Sequence, residues 1–162
     1  MRFSAEHRFT GPPGAVAAVL ADPGFYEDLD LPDLSRAQVV EHAEEGPGSA
    51  RLLLRYEYTG HLDPIALRLL GGSRLVWTQE VRLAPDRTGT LVFRAEANPA
   101  TLHGDASFSL VPEGEGTLRR IEGEITVALP LVGQMAERRI VPGILARLEV
   151  EAAAVDERLR GA

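Results

Sequence analysis

The chain predicts an α+β fold: a curved antiparallel sheet of about seven strands around a long C-terminal helix, with two short helices after the first strand. Three observations carry this. Segments of roughly ten residues alternate apolar and polar side chains, turn residues separate them, and the C-terminal stretch switches to helical spacing.

The first strand spans Arg2 to Thr10, with Phe3, Ala5, His7 and Phe9 on one face and Arg2, Ser4, Glu6 and Arg8 on the other. Gly11-Pro12-Pro13 ends it. Ala15 to Ala21 predicts a short helix stopped by Pro23, and Phe25 to Leu31 a second closed by Pro32. Strands follow at Ala37 to Glu44 and Ala50 to Thr59. Gly60 to Gly72 is an interlude with one helical turn at Ile65 to Leu70. Further strands run over Leu75 to Leu83, Thr90 to Ala97, Leu102 to Leu110 and Thr117 to Leu129. Short turns between them demand antiparallel pairing.

Ile144, Leu145, Leu148, Ala152, Val155 and Leu159 form an apolar stripe on the last helix, with Glu149, Glu151, Asp156, Glu157 and Arg158 assigned mostly to the other side. Pro142 lacks the N–H that a helix interior needs. The expectation is a helix in two pieces meeting near Pro142-Gly143.

Composition narrows the function classes. The 162 residues fit one domain, residues 1–162, with 44% apolar and 25% charged side chains. No apolar run reaches the ~20 residues of a membrane span. Met1 to His7 lacks the apolar stretch of a signal peptide, and cysteine is absent, so a cytoplasmic location is expected. The net charge of −7 argues against nucleic acid as a partner. All 17 basic residues are arginine, read here as codon composition. Arg119-Arg120 and Arg138-Arg139 are expected at the surface or in ion pairs.

The stretch Phe9-Thr10-Gly11-Pro12-Pro13-Gly14-Ala15-Val16, followed by Leu20-Ala21-Asp22-Pro23, resembles the opening of the START-like superfamily, also called SRPBCC or helix-grip. Ala5-Glu6-His7-Arg8-Phe9, Leu70-Gly71-Gly72 and Glu137-Arg138-Arg139-Ile140-Val141-Pro142-Gly143 are similar to an uncharacterised bacterial family within it. The resemblance implies the helix-grip fold over the full length. It leaves function open, because the superfamily hosts both enzymes and binders.

A single helix about 10 Å across cannot fill a broad concave sheet. Gly104 and Gly123 lack side chains, and Ala95 and Ala106 are small, so a void is expected between sheet and helix. Alternation and the helical stripe place Tyr56, Tyr58, Trp77, Gln79, Phe93, Phe108, Ile125, Leu145 and Leu148 around it, with Met135 at its mouth. Tyr56, Tyr58, Trp77 and Gln79 admit two readings: core groups satisfied within the protein, or polar anchors in an apolar pocket.

His7 on an apolar face reads first as a hydrogen-bonded core residue. It is a candidate acid or base only with a proton-transfer partner about 3 Å away. His103 and Asp105 share the outer strand face, and His42 and His61 stand at unrelated spacings, so no metal site is expected. Glu122 and Glu124 are expected on the outer face, exposed and opposite arginine. No GxSxG elbow, Walker loop or GxGxxG fingerprint occurs, and no cofactor is expected.

The reading that follows is a carrier or sensor for a small hydrophobic or amphiphilic molecule, lipid- or polyketide-like. Two alternatives stand beside it: an aromatase/cyclase-like enzyme, and a protein-interaction module with a filled core.

Overall fold

The computed structural model describes residues 1–69 and 74–161, with Ile65, Arg68 and Leu69 described by their backbone alone. Its elements are β1 (Arg2–Phe9), α1 (Pro13–Leu20), α2 (Pro23–Asp28), β2 (Gln38–Glu44), β3 (Ala50–Glu57), α3 (Pro64–Leu69), β4 (Val76–Leu83), β5 (Thr88–Ala95), β6 (Leu102–Glu113), β7 (Gly116–Val127) and α4 (Gly133–Arg160). Leu70-Gly71-Gly72, which carry part of the family resemblance, lie outside the described residues.

Every pairing in the seven-stranded sheet is antiparallel, in the order β1-β7-β6-β5-β4-β3-β2. Six of the strands follow consecutively, each paired with the next, and β1 closes onto β7, the last strand. This is the helix-grip arrangement, with α4 as the gripped helix.

Pro23 starts α2 rather than simply stopping α1. It occupies the first helical turn, where its missing N–H costs nothing, and the Asp22 carboxylate accepts from Gly24 N at 3.0 Å. Strands β6 and β7 run further towards their shared turn than the alternation suggests. They meet in a two-residue turn at Gly114-Glu115, where Gly114 takes φ +60°. Strand β5 begins at Thr88, so Gly89 belongs to the strand. A Cβ there would lie 2.2 Å from Phe108 Cζ, and glycine lets that ring lie flat on the sheet.

Helix α4 is continuous from Gly133 to Arg160 with Pro142 in its interior, which corrects the expectation of two pieces. The ring removes one backbone donor, yet buried contacts on both sides, at Val141 and at Leu148, hold the helical path across it.

Cross-strand register sorts the inner face into rows. One row joins Leu83, Gly89, Phe108 and Ile121; a second joins Val81, Leu91, Ala106 and Gly123; a third joins Gln79, Phe93, Gly104 and Ile125; a fourth joins Tyr56, Trp77 and Ala95. Over the first row, α1, α2 and the C-terminal half of α4 pack tightly through Val16, Leu20, Phe25, Ala152 and Val155. The third and fourth rows face the N-terminal half of α4 across open volume. No helix among the described residues is long and apolar enough to cross a membrane.

Candidate functional site

A cavity of about 520 Å³ lies between the inner sheet face and α4. Its sheet wall is Tyr56, Trp77, Gln79, Leu91, Phe93, Leu102, Gly104, Ala106 and Ile125. Its helix wall is Arg139, Ile140, Gly143, Ile144, Arg147, Leu148 and Glu151, successive turns of one helical face. Leu31, Asp33, Leu34, Tyr58, His61, Leu62, Asp63 and Ala66 approach from the connections after α2 and β3.

Seven of the ten residues expected around the void line it: Tyr56, Tyr58, Trp77, Gln79, Phe93, Ile125 and Leu148. Three lie elsewhere. Phe108 sits one row too deep, fills the space over Gly89, and borders a separate void of about 10 Å³. Leu145 lies half-buried on the flank of α4, off the Ile144–Leu148–Glu151 face. Met135 is 48% exposed, one turn before the helix reaches the cavity.

The reason for the volume also changes. Gly104 and Ala106 line the cavity, but Gly123 is covered by Phe3, whose Cζ would stand 2.6 Å from a Cβ there. A leucine at 123 would collide with Phe3, Ala106 and the Asp105 carbonyl rather than plug the cavity.

Aromatic rings shape one wall. Tyr56 and Trp77 stack with centroids 5.9 Å apart, and Phe93 meets Trp77 edge-on at 5.4 Å. The polar atoms on these walls have an unusual status. Among the described residues, the Tyr56 and Tyr58 hydroxyls, the Trp77 indole N–H and the Gln79 amide make no hydrogen bond and all four side chains line the cavity, whereas the buried atom without a hydrogen-bond partner is His7 Nε2. Tyr26 is the contrast: fully buried, it donates to Leu20 O at 2.7 Å. Burial, and secondarily the Glu151 charge, raise the Tyr56 phenol above its ordinary pKa, so it stays a donor at neutral pH.

Some of the charged lining groups are held in ion pairs, while Asp33, Asp105 and Glu124 are exposed at the cavity border. Asp63 pairs with Arg139. Glu151 accepts from Arg119 Nη1 at 2.6 Å. Arg119 is 2% exposed, not at the surface, and its guanidinium also faces the Phe9 ring at 5.4 Å. Arg120 is exposed and pairs with Glu6. Arg119 donates to His7 Nδ1 from Nε at 3.3 Å and Nη2 at 3.1 Å, which leaves the imidazole proton on Nε2, 3.3 Å from Glu149 Oε1. His7 is thus a buried network residue outside the cavity lining.

Sequence reading misses Arg119 and Glu151, though a signal for each is present. Arg119 has the same strand parity as Ile121. Glu151 falls three residues after Leu148 and four before Val155, on the apolar stripe. Of the two outer-face glutamates, Glu122 does not line the site, whereas exposed Glu124, opposite Arg2 in register, borders it. Among the described residues, no group of three or more histidine, aspartate or glutamate side chains is gathered to hold a metal ion.

No curated protein sequence matches the chain. Solved structures do. A protein from Thermus thermophilus gives a TM-score of 0.70 at 18% identity, over 99% of this chain and 98% of that one. A START superfamily protein from Mycobacterium smegmatis gives 0.60 at 17% identity, over 99% and 97%. The Zhui aromatase/cyclase from a Streptomyces species gives 0.64 at 17% identity, over 98% and 95%. These likenesses establish the START-like fold. The chain belongs to the family described as Protein of unknown function (DUF2505), which it matches over residues 4–159.

Proposed function

We propose that this DUF2505 protein binds a small amphiphilic molecule, with an apolar and preferably ring-containing body, in the cavity between sheet and α4, as a carrier or sensor. One observation carries the reading. Two phenols, an indole N–H and a carboxamide converge on an apolar cavity with no protein partner among the described residues. These polar atoms open onto the cavity, where a ligand or water can take up their hydrogen-bonding capacity, each bond being worth about 0.5–1.5 kcal/mol. The volume falls within the ~300–1,000 Å³ of small-molecule sites, and a few fixed polar groups in an apolar wall are their usual anatomy.

The same superfamily fold serves the Zhui aromatase/cyclase. Of the carboxylates at the cavity, Glu151 and Asp63 are held by arginines, and Asp33, Asp105 and Glu124 belong to exposed residues at its border. None among the described residues is both buried and unpaired there, which favours binding over proton transfer. The test is native mass spectrometry of the gently purified protein, joined to titration with the solvatochromic dye Nile red. Wild type is expected to carry a small molecule or take up the dye. Ile144→Trp, which projects an indole from the helix wall, is expected to lose both. A wild type that retains no small molecule and binds no dye overturns the reading.

A further inference from the structure

Arg147 is the one arginine of the cavity lining without a carboxylate partner among the described residues. The other, Arg139, is paired with Asp63. Arg147 Nε donates to Pro32 O at 3.3 Å, and its guanidinium lies 5.9 Å from the Tyr58 ring centroid. These two contacts fix the plane of the fork and leave both terminal nitrogens unused by the described residues. The hydroxyl of Tyr58, whose ring the guanidinium faces, is also without a partner among them.

Resting on the binding reading above, we infer that the ligand carries a carboxylate and that Arg147 holds it, with the Tyr58 hydroxyl as a further donor. A guanidinium presents two parallel N–H groups at the spacing of a carboxylate's two oxygens, a match that neither an ammonium nor a lone phenol provides.

The charge balance supports the sign. Burial lowers the pKa of Arg147 despite the nearby Tyr58 and Asp33, so its charge is desolvated without full compensation. Asp33 lines the cavity but forms no ion pair with it. Glu151, the carboxylate furthest along the helix wall, is already neutralised by Arg119. Asp105 and Glu124 also border the cavity, but both are exposed, so an incoming anion meets an arginine without an ion pair at one point of the lining. The apolar body of the ligand extends from there along Trp77 and Phe93.

Trp77 is the only tryptophan of the chain and lines the cavity, so its emission reports binding directly. The probes are 2-naphthoate and its neutral isostere 2-naphthamide, titrated at neutral pH into wild type, Arg147→Lys and Arg147→Met. Wild type is expected to bind the carboxylate about ten- to a hundredfold more tightly than the amide. The carboxylate-to-amide ratio should fall to about one in Arg147→Met and recover in part in Arg147→Lys. Circular dichroism melts identify any variant that has failed to fold, and Arg147→Lys then carries the comparison.

Equal affinities in wild type, or a preference that survives in Arg147→Met, overturn the inference while leaving the cavity a ligand site. If neither probe nor Nile red binds, the binding reading falls and this inference with it.

Discussion

Arg119 Nη1 lies 2.6 Å from Glu151 Oε1, and both side chains are buried between β7 and α4. The pair ties the last strand to the gripped helix beside the cavity. Removing one partner leaves a buried charge uncompensated, at a cost of about 3–5 kcal/mol, whereas replacing both with apolar groups is often neutral. Arg119→Met and Glu151→Leu should each destabilise by that amount in urea unfolding, and the double variant should recover most of the loss. Additive losses would show that the two side chains do not act as a pair.

His7 supplies a pH dependence. Burial, then the Arg119 charge, lowers its pKa below 6.5 in the folded state, against the raising effects of Glu149 and Glu151. The unfolded chain therefore binds the proton more readily. Stability from neutral His7 is full above about pH 6.5 and is lost as pH falls through the folded-state pKa. Unfolding at about pH 7.5, 6.5 and 5.5 should show wild type weakening more steeply than His7→Gln, whose amide oxygen still accepts from Arg119. Parallel curves would assign the acid sensitivity to other groups.

The strands are legible because period-two alternation is a local property: the face bearing Phe3, His7 and Phe9 follows from β1 alone. Depth along the sheet is not. Phe108 has the parity of Gly104 and Ala106, but only its register opposite Gly89 places it in the packed end. Arg119 and Glu151 satisfy the periodic pattern, and only their charge argues for the outside; each is buried because the other is its partner. Asp33, His61 and Asp63 reach the cavity from irregular connections, where no period exists to read.

Pro142 interrupts the hydrogen bonding of α4 without ending the helix. A proline in a helix interior costs about 3 kcal/mol or more, partly offset by the ~0.4–1 kcal/mol it gains by restricting the unfolded chain. Pro142 is exposed, so alanine there loses little packing. Pro142→Ala should stabilise by about 1–3 kcal/mol in urea unfolding. A destabilised variant would mean that the helix requires its proline, for instance to set the path between Val141 and Leu148.

Two tyrosines give the sharpest test of the cavity. Tyr26 and Tyr56 are both buried, at 1% and 4% exposure. The Tyr26 hydroxyl donates to Leu20 O at the end of α1, whereas the Tyr56 hydroxyl has no partner among the described residues and lines the cavity. Tyr26→Phe strips a buried carbonyl of its donor and should cost about 1 kcal/mol of stability. Tyr56→Phe removes a group the protein does not use, so its stability should hold or rise slightly. If a ligand oxygen accepts from Tyr56, its affinity should fall by about 0.5–1.5 kcal/mol, roughly two- to twelvefold. Urea unfolding of both variants, with Nile red titration of the same samples, separates the two effects. A Tyr56→Phe variant destabilised as much as Tyr26→Phe would show that the Tyr56 hydroxyl serves the fold and not the cavity.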